Sequence, residues 1–397
     1  MTGPLHGVRV LDLSRVLSGP FCTMLLADLG AEVVKVEQPG RGDPARHLGP
    51  RVGEDSAYFI SVNRGKQSIT VDLSAEEGQR LLRNLLPRCD VLVENFIPGT
   101  VARLGLDYAR VSEANPSLIY ASISGFGQDG PYARRPALDI IVQAMGGMMS
   151  VTGEPGGPPL RPGASLGDSA AGTFAALAIV SALFQRRETG RGQYIDLSML
   201  DCQITLMENG FSRYFATGEV PGPLGSRHPA AAPFQAFRAA DGHFVVALLS
   251  DDPRTWSRFC VAIGRPDLAE DARFVDNAGR TNHLAELVPE LEQTFQAKPL
   301  AWWIEVLTGA GVPCGPVNSV AAAAEDAQVK HRGMLVTIPH RAVGEWRVAN
   351  TPFRLAGAPT GPAGSSPRLG EHTEEVLGGL LGLAAAEIER LRAAGVI

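Results

Sequence analysis

Residues 7–37, GVRVLDLSRVLSGPFCTMLLADLGAEVVKVE, decide how this chain folds. VRVLDLS (8–14) and AEVVKVE (31–37) are short β-branched runs, and a helical pattern through TMLLADLG joins them. The same alternation continues outward. SITVDL (68–73), a helix around 75–86, DVLVENF (90–96), LIYASISGF (118–126) and YIDLSML (194–200) follow in turn. Strands alternating with helices over such a length predict a parallel, doubly wound α/β sheet.

Further along, SAAGTFAALAIVSALFQRR reads as a buried helix, and the following ETGRG supplies a glycine stop. Near residue 220 the pattern changes to PGPLGSRHPAAAP, whose density of Pro, Gly and Ala reads as a linker. FQAFRAADGHFVVALL then places an Asp-Gly turn between two strand-like runs. With amphipathic segments around 252–263, 281–296 and 300–309, the stretch 226–325 reads as a smaller α+β domain. A strand and two helices close the chain, and no internal repeat is present.

The 397 residues are 45% hydrophobic, enough for a sizeable core. A net charge of -6, with its 36 Lys and Arg scattered, points away from nucleic acid as a partner. The five cysteines are far apart and form no C-x-x-C pair, so reduced thiols, no metal site and a cytoplasmic protein are expected. The N-terminus lacks a secretory pattern, and no uninterrupted apolar run is long enough to suggest a membrane span.

Three motifs compete for the chemistry. Ser165 in GASLG matches G-x-S-x-G, but GEPGGPPLRP before it cannot be the strand that a nucleophile elbow requires. Gly125-Phe-Gly-Gln-Asp-Gly130 matches G-x-G-x-x-G, but Pro131 and Pro136 spoil the helix that must follow. Asp168, in GDSAAG, has two readings. It is a helix N-cap, or it is a carboxylate nucleophile left open by the small residues Ser169, Ala170 and Ala171 and favoured by the helix N-terminus.

These segments, with NRGKQSITVDL, DVLVENFIPGTVARLGLDY, SGFGQDGPYARRPALD, ETGRGQYIDLSMLD and LGEHTEEVL, together resemble the family III (CaiB/BaiF) CoA-transferases, especially the branch acting on dicarboxylates such as succinate and glutarate. The resemblance spans residues 7–377. It implies a large Rossmann-like domain built from both chain ends (1–200 and 346–397), a small inserted domain (226–325), linkers at 201–225 and 326–345, and an interlocked homodimer. It implies an EC 2.8.3 type acyl-CoA:carboxylate CoA-transferase with Asp168 as nucleophile, acyl-CoA and a free carboxylic acid as substrates, and no prosthetic group. CoA contacts carry over to Val16, Leu17, Ser18, Gln38, Val71, Asn95, Phe96, Ile97, Arg103 and Asp139. Arg15 is added as a phosphate partner, because a guanidinium forks onto phosphate.

Two departures narrow the branch. The formyl-CoA/oxalate branch has glutamine where this chain has Leu17, and its glycine-rich loop has no counterpart between 226 and 325. The family's racemases carry a histidine where this chain has Leu138. The expectation is therefore transfer between four- to six-carbon diacids with succinyl-CoA as donor, Arg46 being a candidate for the distal carboxylate. The alternatives are an α-methylacyl-CoA racemase, a serine hydrolase using Ser165, and a CoA-binding protein without catalysis.

Overall fold

The alternating runs form one six-stranded parallel sheet, seen in a computed structural model that describes residues 2–249 and 252–397. Its strands are β1 (Arg9–Asp12), β2 (Glu32–Glu37), β3 (Gln67–Thr70), β4 (Val91–Glu94), β5 (Ile119–Ser124) and β6 (Tyr194–Ser198). They lie in the order β3-β2-β1-β4-β5-β6. Val10 is level with Val33 on one side and Val91 on the other, which sets the central register. All residues of β4 and β5 are buried, as expected for strands covered on both faces.

One face carries α1 (Ser18–Asp28) and the long α2 (Leu166–Thr189), which share a core with Val10, Val91 and Ile119. The other face is closed by Leu82 and Leu85 of Glu76–Leu85 and by the C-terminal helices Thr373–Leu381 and Ala385–Ala393. There, Leu377 and Leu391 join Leu11 and Ile69 in one core, so the two ends of the chain share it. α2 ends at Gly190, whose φ of 67° is the left-handed conformation a glycine C-cap provides. By length and composition α2 could cross a membrane, yet it packs here against α1 and the sheet. The expectation of a buried helix holds for one face only, since Leu177 and Phe184 are 62% and 68% exposed.

The chain divides into two compact units. One comprises Met1–Met149, Arg161–Glu219 and Gln328–Ile397, and the other Ser150–Leu160 and Val220–Ala327. The smaller unit has a three-stranded antiparallel sheet of β7 (Phe234–Arg238), β8 (His243–Ala247) and β9 (Cys314–Pro316). Phe237, Phe244, Phe259, Phe295 and Trp303 are buried in its core. The linker read at 201–225 is largely helical, through Met199–Leu206 and Glu208–Thr217. That read at 326–345 contains most of an antiparallel hairpin, Leu335–His340 with Gly344–Ala349. Composition near 220 marks the start of the smaller unit, but not the helical lead-in.

Candidate active site

Winding away from β1 proceeds through β2 to one edge and through β4 to the other, so the loops after β1 and β4 diverge and leave a crevice at the carboxyl ends. Asn95, just after β4, ties the two loops together. Its Oδ1 accepts from the Arg15 amide at 2.8 Å, and its Nδ2 donates to the Arg15 carbonyl at 2.8 Å and to Ser18 Oγ at 3.2 Å. The Asn95 amide, expected to contact CoA, is thus fully employed in holding the crevice. Beside it, Val16 has φ 66°, the only positive φ at a non-glycine among the described residues. A β-branched residue there costs about 1–2 kcal/mol, and Asp43 holds it by accepting from the Val16 amide at 3.1 Å.

Beneath that loop lie buried charges. Asp12 accepts from the Ser14 amide and hydroxyl, from Thr23 Oγ1 at 2.6 Å and from Lys66 Nζ at 3.1 Å. Lys35 pairs with Asp43 at 2.9 Å and donates to the Ser14 carbonyl at 2.8 Å. Burial alone would raise the Asp12 carboxyl, but the charges of Lys66 and Lys35 hold it down at about 2. Burial pulls Lys66 down to about 8. The network makes the strained loop rigid, because every charge in it has a partner.

Asp168 approaches the crevice from the first turn of α2. Helix α2 has Ser165 as its N-cap residue, without a side-chain capping bond, which places Asp168 three residues in. The capping role belongs to another segment. Asp139, at the start of the helix Asp139–Met145, accepts from the Gly167 amide at 2.8 Å and the Asp168 amide at 3.4 Å. The Asp168 carboxylate is therefore free of helix capping, and the Ser18 hydroxyl favours its ionised form. Gly172 lets α1 and α2 approach closely enough for this, since a Cβ there would lie 2.7 Å from the Ser18 carbonyl and 3.1 Å from the Cys22 amide.

The carboxyl of Asp168 is pushed up to about 7, first by burial and then by the charge of Asp139, against the opposing charge of Arg161. Arg161 binds Asp139 Oδ2 through Nε at 3.1 Å and Nη2 at 2.9 Å, and donates to Ser165 Oγ at 3.0 Å. Ser165 has no strand before it, so the hydrolase elbow is absent. The G-x-G-x-x-G segment also leads into turns rather than a helix.

Two clefts open at this end of the sheet. The first, about 320 Å³, is lined by Val16, Leu17, Ser18, Asn95, Phe96, Ile97, Asp139 and Asp168 among others. The second, about 450 Å³, is lined by Gln38, Arg41, His47 and Val71 at the ends of β2 and β3. Arg15, Pro44 and Phe96 line both, and the Arg15 guanidinium lies 4.8 Å from the Phe96 ring centre. The expected CoA residues therefore converge, with one exception. Arg103 contacts Thr100 at the surface, and it is the next residue, Leu104, that lines the larger cleft. Arg46 is unavailable to a substrate, because it binds Glu37 at 2.7 and 2.6 Å and lies over Phe59 at 3.7 Å.

Sequence reasoning missed Tyr58, whose hydroxyl is pushed up to about 12 by burial and then by the charge of Asp168. It lies in Ala57–Asn63, where no local pattern distinguishes it from a core tyrosine. It also missed Arg135, on the wall of the Asp168 cleft, and the capping role of Asp139.

The model of CoA-transferase family III matches residues 5–373. The succinyl-CoA:glutarate CoA-transferase of Mus musculus is 39% identical over 395 residues, covering 99% of this chain and 90% of that protein. The acetyl-CoA:oxalate CoA-transferase of Acetobacter aceti is 46% identical over 335 residues, covering 84% and 86%. Among solved structures, a CaiB/BaiF family protein from Brucella suis superposes with a TM-score of 0.86 at 39% identity, covering 96% of this chain and 100% of that one.

Proposed function

The chain belongs to CoA-transferase family III, and from that premise we propose that it moves CoA between dicarboxylic acids through an aspartyl-CoA thioester on Asp168, with succinyl-CoA as donor. The observation that carries this is the Asp168 carboxylate itself. It stands in the first turn of a helix whose capping is done by Asp139, and it lines a cleft that shares a wall with a second, larger one. The larger cleft suits the nucleotide end of CoA, because Arg15 and Arg41 have no acidic partner among the described residues. The smaller cleft then receives the thioester.

Asp168 attacks the thioester carbonyl and expels CoA thiolate, forming a mixed anhydride. The thiolate attacks the aspartyl carbonyl, the donor acid departs as its carboxylate, and the aspartyl-CoA thioester remains. The acceptor carboxylate attacks that thioester and again frees the thiolate. Attack of the thiolate on the acceptor's acyl carbon yields the new acyl-CoA and restores Asp168. Each addition creates an oxyanion, and the first-turn amides of Ser18 and Gly19 in α1, which have no partner among the described residues, are suited to receive it. No prosthetic group or metal enters these steps.

Leu17 supports acids of four to six carbons, whose methylenes can lie on it. Leaving polar groups of a very small acid unpaired against such a wall costs ~1–3 kcal/mol each. The acetyl-CoA:oxalate relative favours a second reading with the shortest diacid. Competing succinate, glutarate, oxalate and formate in one vessel separates the two, and the first reading expects succinate or glutarate to lead by at least about tenfold in kcat/KM. Asp168→Ala should bind CoA but neither transfer it nor carry a CoA adduct by intact mass. An adduct on the alanine variant would defeat the assignment.

The same reading includes an interlocked homodimer and a cytoplasmic location. The exposed Leu177 and Phe184 on α2 support a second copy there, and the free cysteines, four of them buried, suit a reducing compartment. A folded monomer in sizing chromatography at low concentration would contradict the dimer.

A further inference from the structure

The guanidinium groups of the larger unit differ in what they are free to do. Arg46 has both arms on Glu37 and a further bond to the Pro367 carbonyl at 3.2 Å. Arg161 is held by Asp139 and Ser165. Arg135 is different. It lines the same cleft as Asp168, yet its guanidinium has neither an acidic partner nor a hydrogen bond among the described residues. Its carbon instead sits 4.5 Å from the centre of the Tyr132 ring and 5.8 Å from that of Phe126. A cation seated on aromatic faces is oriented without using its N–H donors, so the donor edge remains available for a planar anion.

The surroundings indicate which anion. Arg15 lines both clefts and so lies on the path between the nucleotide and the thioester, whereas Arg135 lines only the cleft that holds the nucleophile. That cleft is otherwise largely apolar, with Leu17, Ile97, Leu138 and Met199 in its wall. We propose that Arg135 receives the distal carboxylate of the acyl group that Asp168 accepts and passes on, an assignment that rests on the reading of this chain as a dicarboxylate CoA-transferase. The segment around Gly125–Gly130, which mimics a dinucleotide motif, thereby acquires a use. Its Phe126, with Tyr132 beyond it, forms the seat of the specificity arginine.

The test compares succinate with butyrate, two four-carbon acids that differ in the distal carboxylate. In Arg135→Gln the ratio of kcat/KM for succinate over butyrate should fall at least about thirtyfold, equivalent to ~2 kcal/mol. Arg135→Lys should restore part of that ratio, and Tyr132→Leu, which keeps the charge and removes its seat, should lower it by a few-fold. An unchanged ratio overturns the assignment, whatever happens to overall activity. If inhibition by free CoA weakens while the ratio stays constant, Arg135 serves a CoA phosphate and the assignment is equally lost. A wild-type enzyme that prefers butyrate refutes the dicarboxylate reading itself, which is a separate result.

Discussion

Ionisation of Asp168 should set the acid limb of activity, and the two charged neighbours should move that limb in opposite directions. The proposed attack requires the carboxylate form of Asp168, whose carboxyl lies at about 7 because burial and Asp139 raise it while Arg161 lowers it. At pH 6 roughly one-tenth of Asp168 is then ionised, and at pH 8 roughly nine-tenths. Asp139→Asn keeps an oxygen to accept from the Gly167 amide but removes the like charge, so the limb should fall by about one pH unit. At pH 6 that variant should retain roughly half of its own plateau rate, about fivefold more than wild type relative to plateau. Arg161→Gln removes the opposing charge and should lift the limb by a similar amount, leaving roughly one-hundredth of plateau at pH 6. The assay is kcat/KM for succinyl-CoA between pH 5 and 9, which reports groups of the free enzyme. Titration of the substrate, and of buried Glu94, which burial also raises to about 7, is common to all variants and cancels in the comparison. The double variant should return towards wild type, since the two charges act on one carboxyl. Shifts of both single variants in the same direction, or a wild-type limb near 4, would refute the reasoning.

Stability should respond to the same carboxyl. Its folded value of about 7 exceeds the ordinary 3.8, so the native state holds the proton more tightly between those values and stability falls as pH rises through that window. The cost is complete above pH 7, with a ceiling of roughly 4 kcal/mol that solvent reaching this half-buried group reduces to about 1–2. Asp168→Asn should accordingly melt about 1–3 °C above wild type at pH 8, with less than half that difference at pH 5; no gain at pH 8 would contradict it. Lys66→Met should cost about 3–5 kcal/mol in urea unfolding by stranding the buried Asp12, and Asp12→Asn in the same chain should recover most of it. A loss below about 1 kcal/mol for the single change would show that Lys35 alone neutralises Asp12.

Much of the fold is legible in short stretches. The β-branched runs at 8–14, 31–37, 68–73, 90–96, 118–126 and 194–200 each overlap one of the six strands, because strand-forming residues cluster locally whatever their neighbours. Asp168 stands out because helix-start chemistry and small flanking residues are local properties. What each polar group is free to do was decided by tertiary structure. Asp168 is spared helix capping only because Asp139, 29 residues earlier, performs it. Arg46 looked available until Glu37 and the Pro367 carbonyl, 321 residues away, closed around it. Arg135 is one of 36 scattered Lys and Arg in the sequence, and only its seat on Tyr132 and Phe126 sets it apart. Asn95 carries its meaning in bonds to Arg15 and Ser18, about 80 residues back, across the point where the sheet reverses its winding. Backbone conformation follows local side-chain pattern, whereas the availability of a charge or donor depends on partners that only folding brings within hydrogen-bond reach.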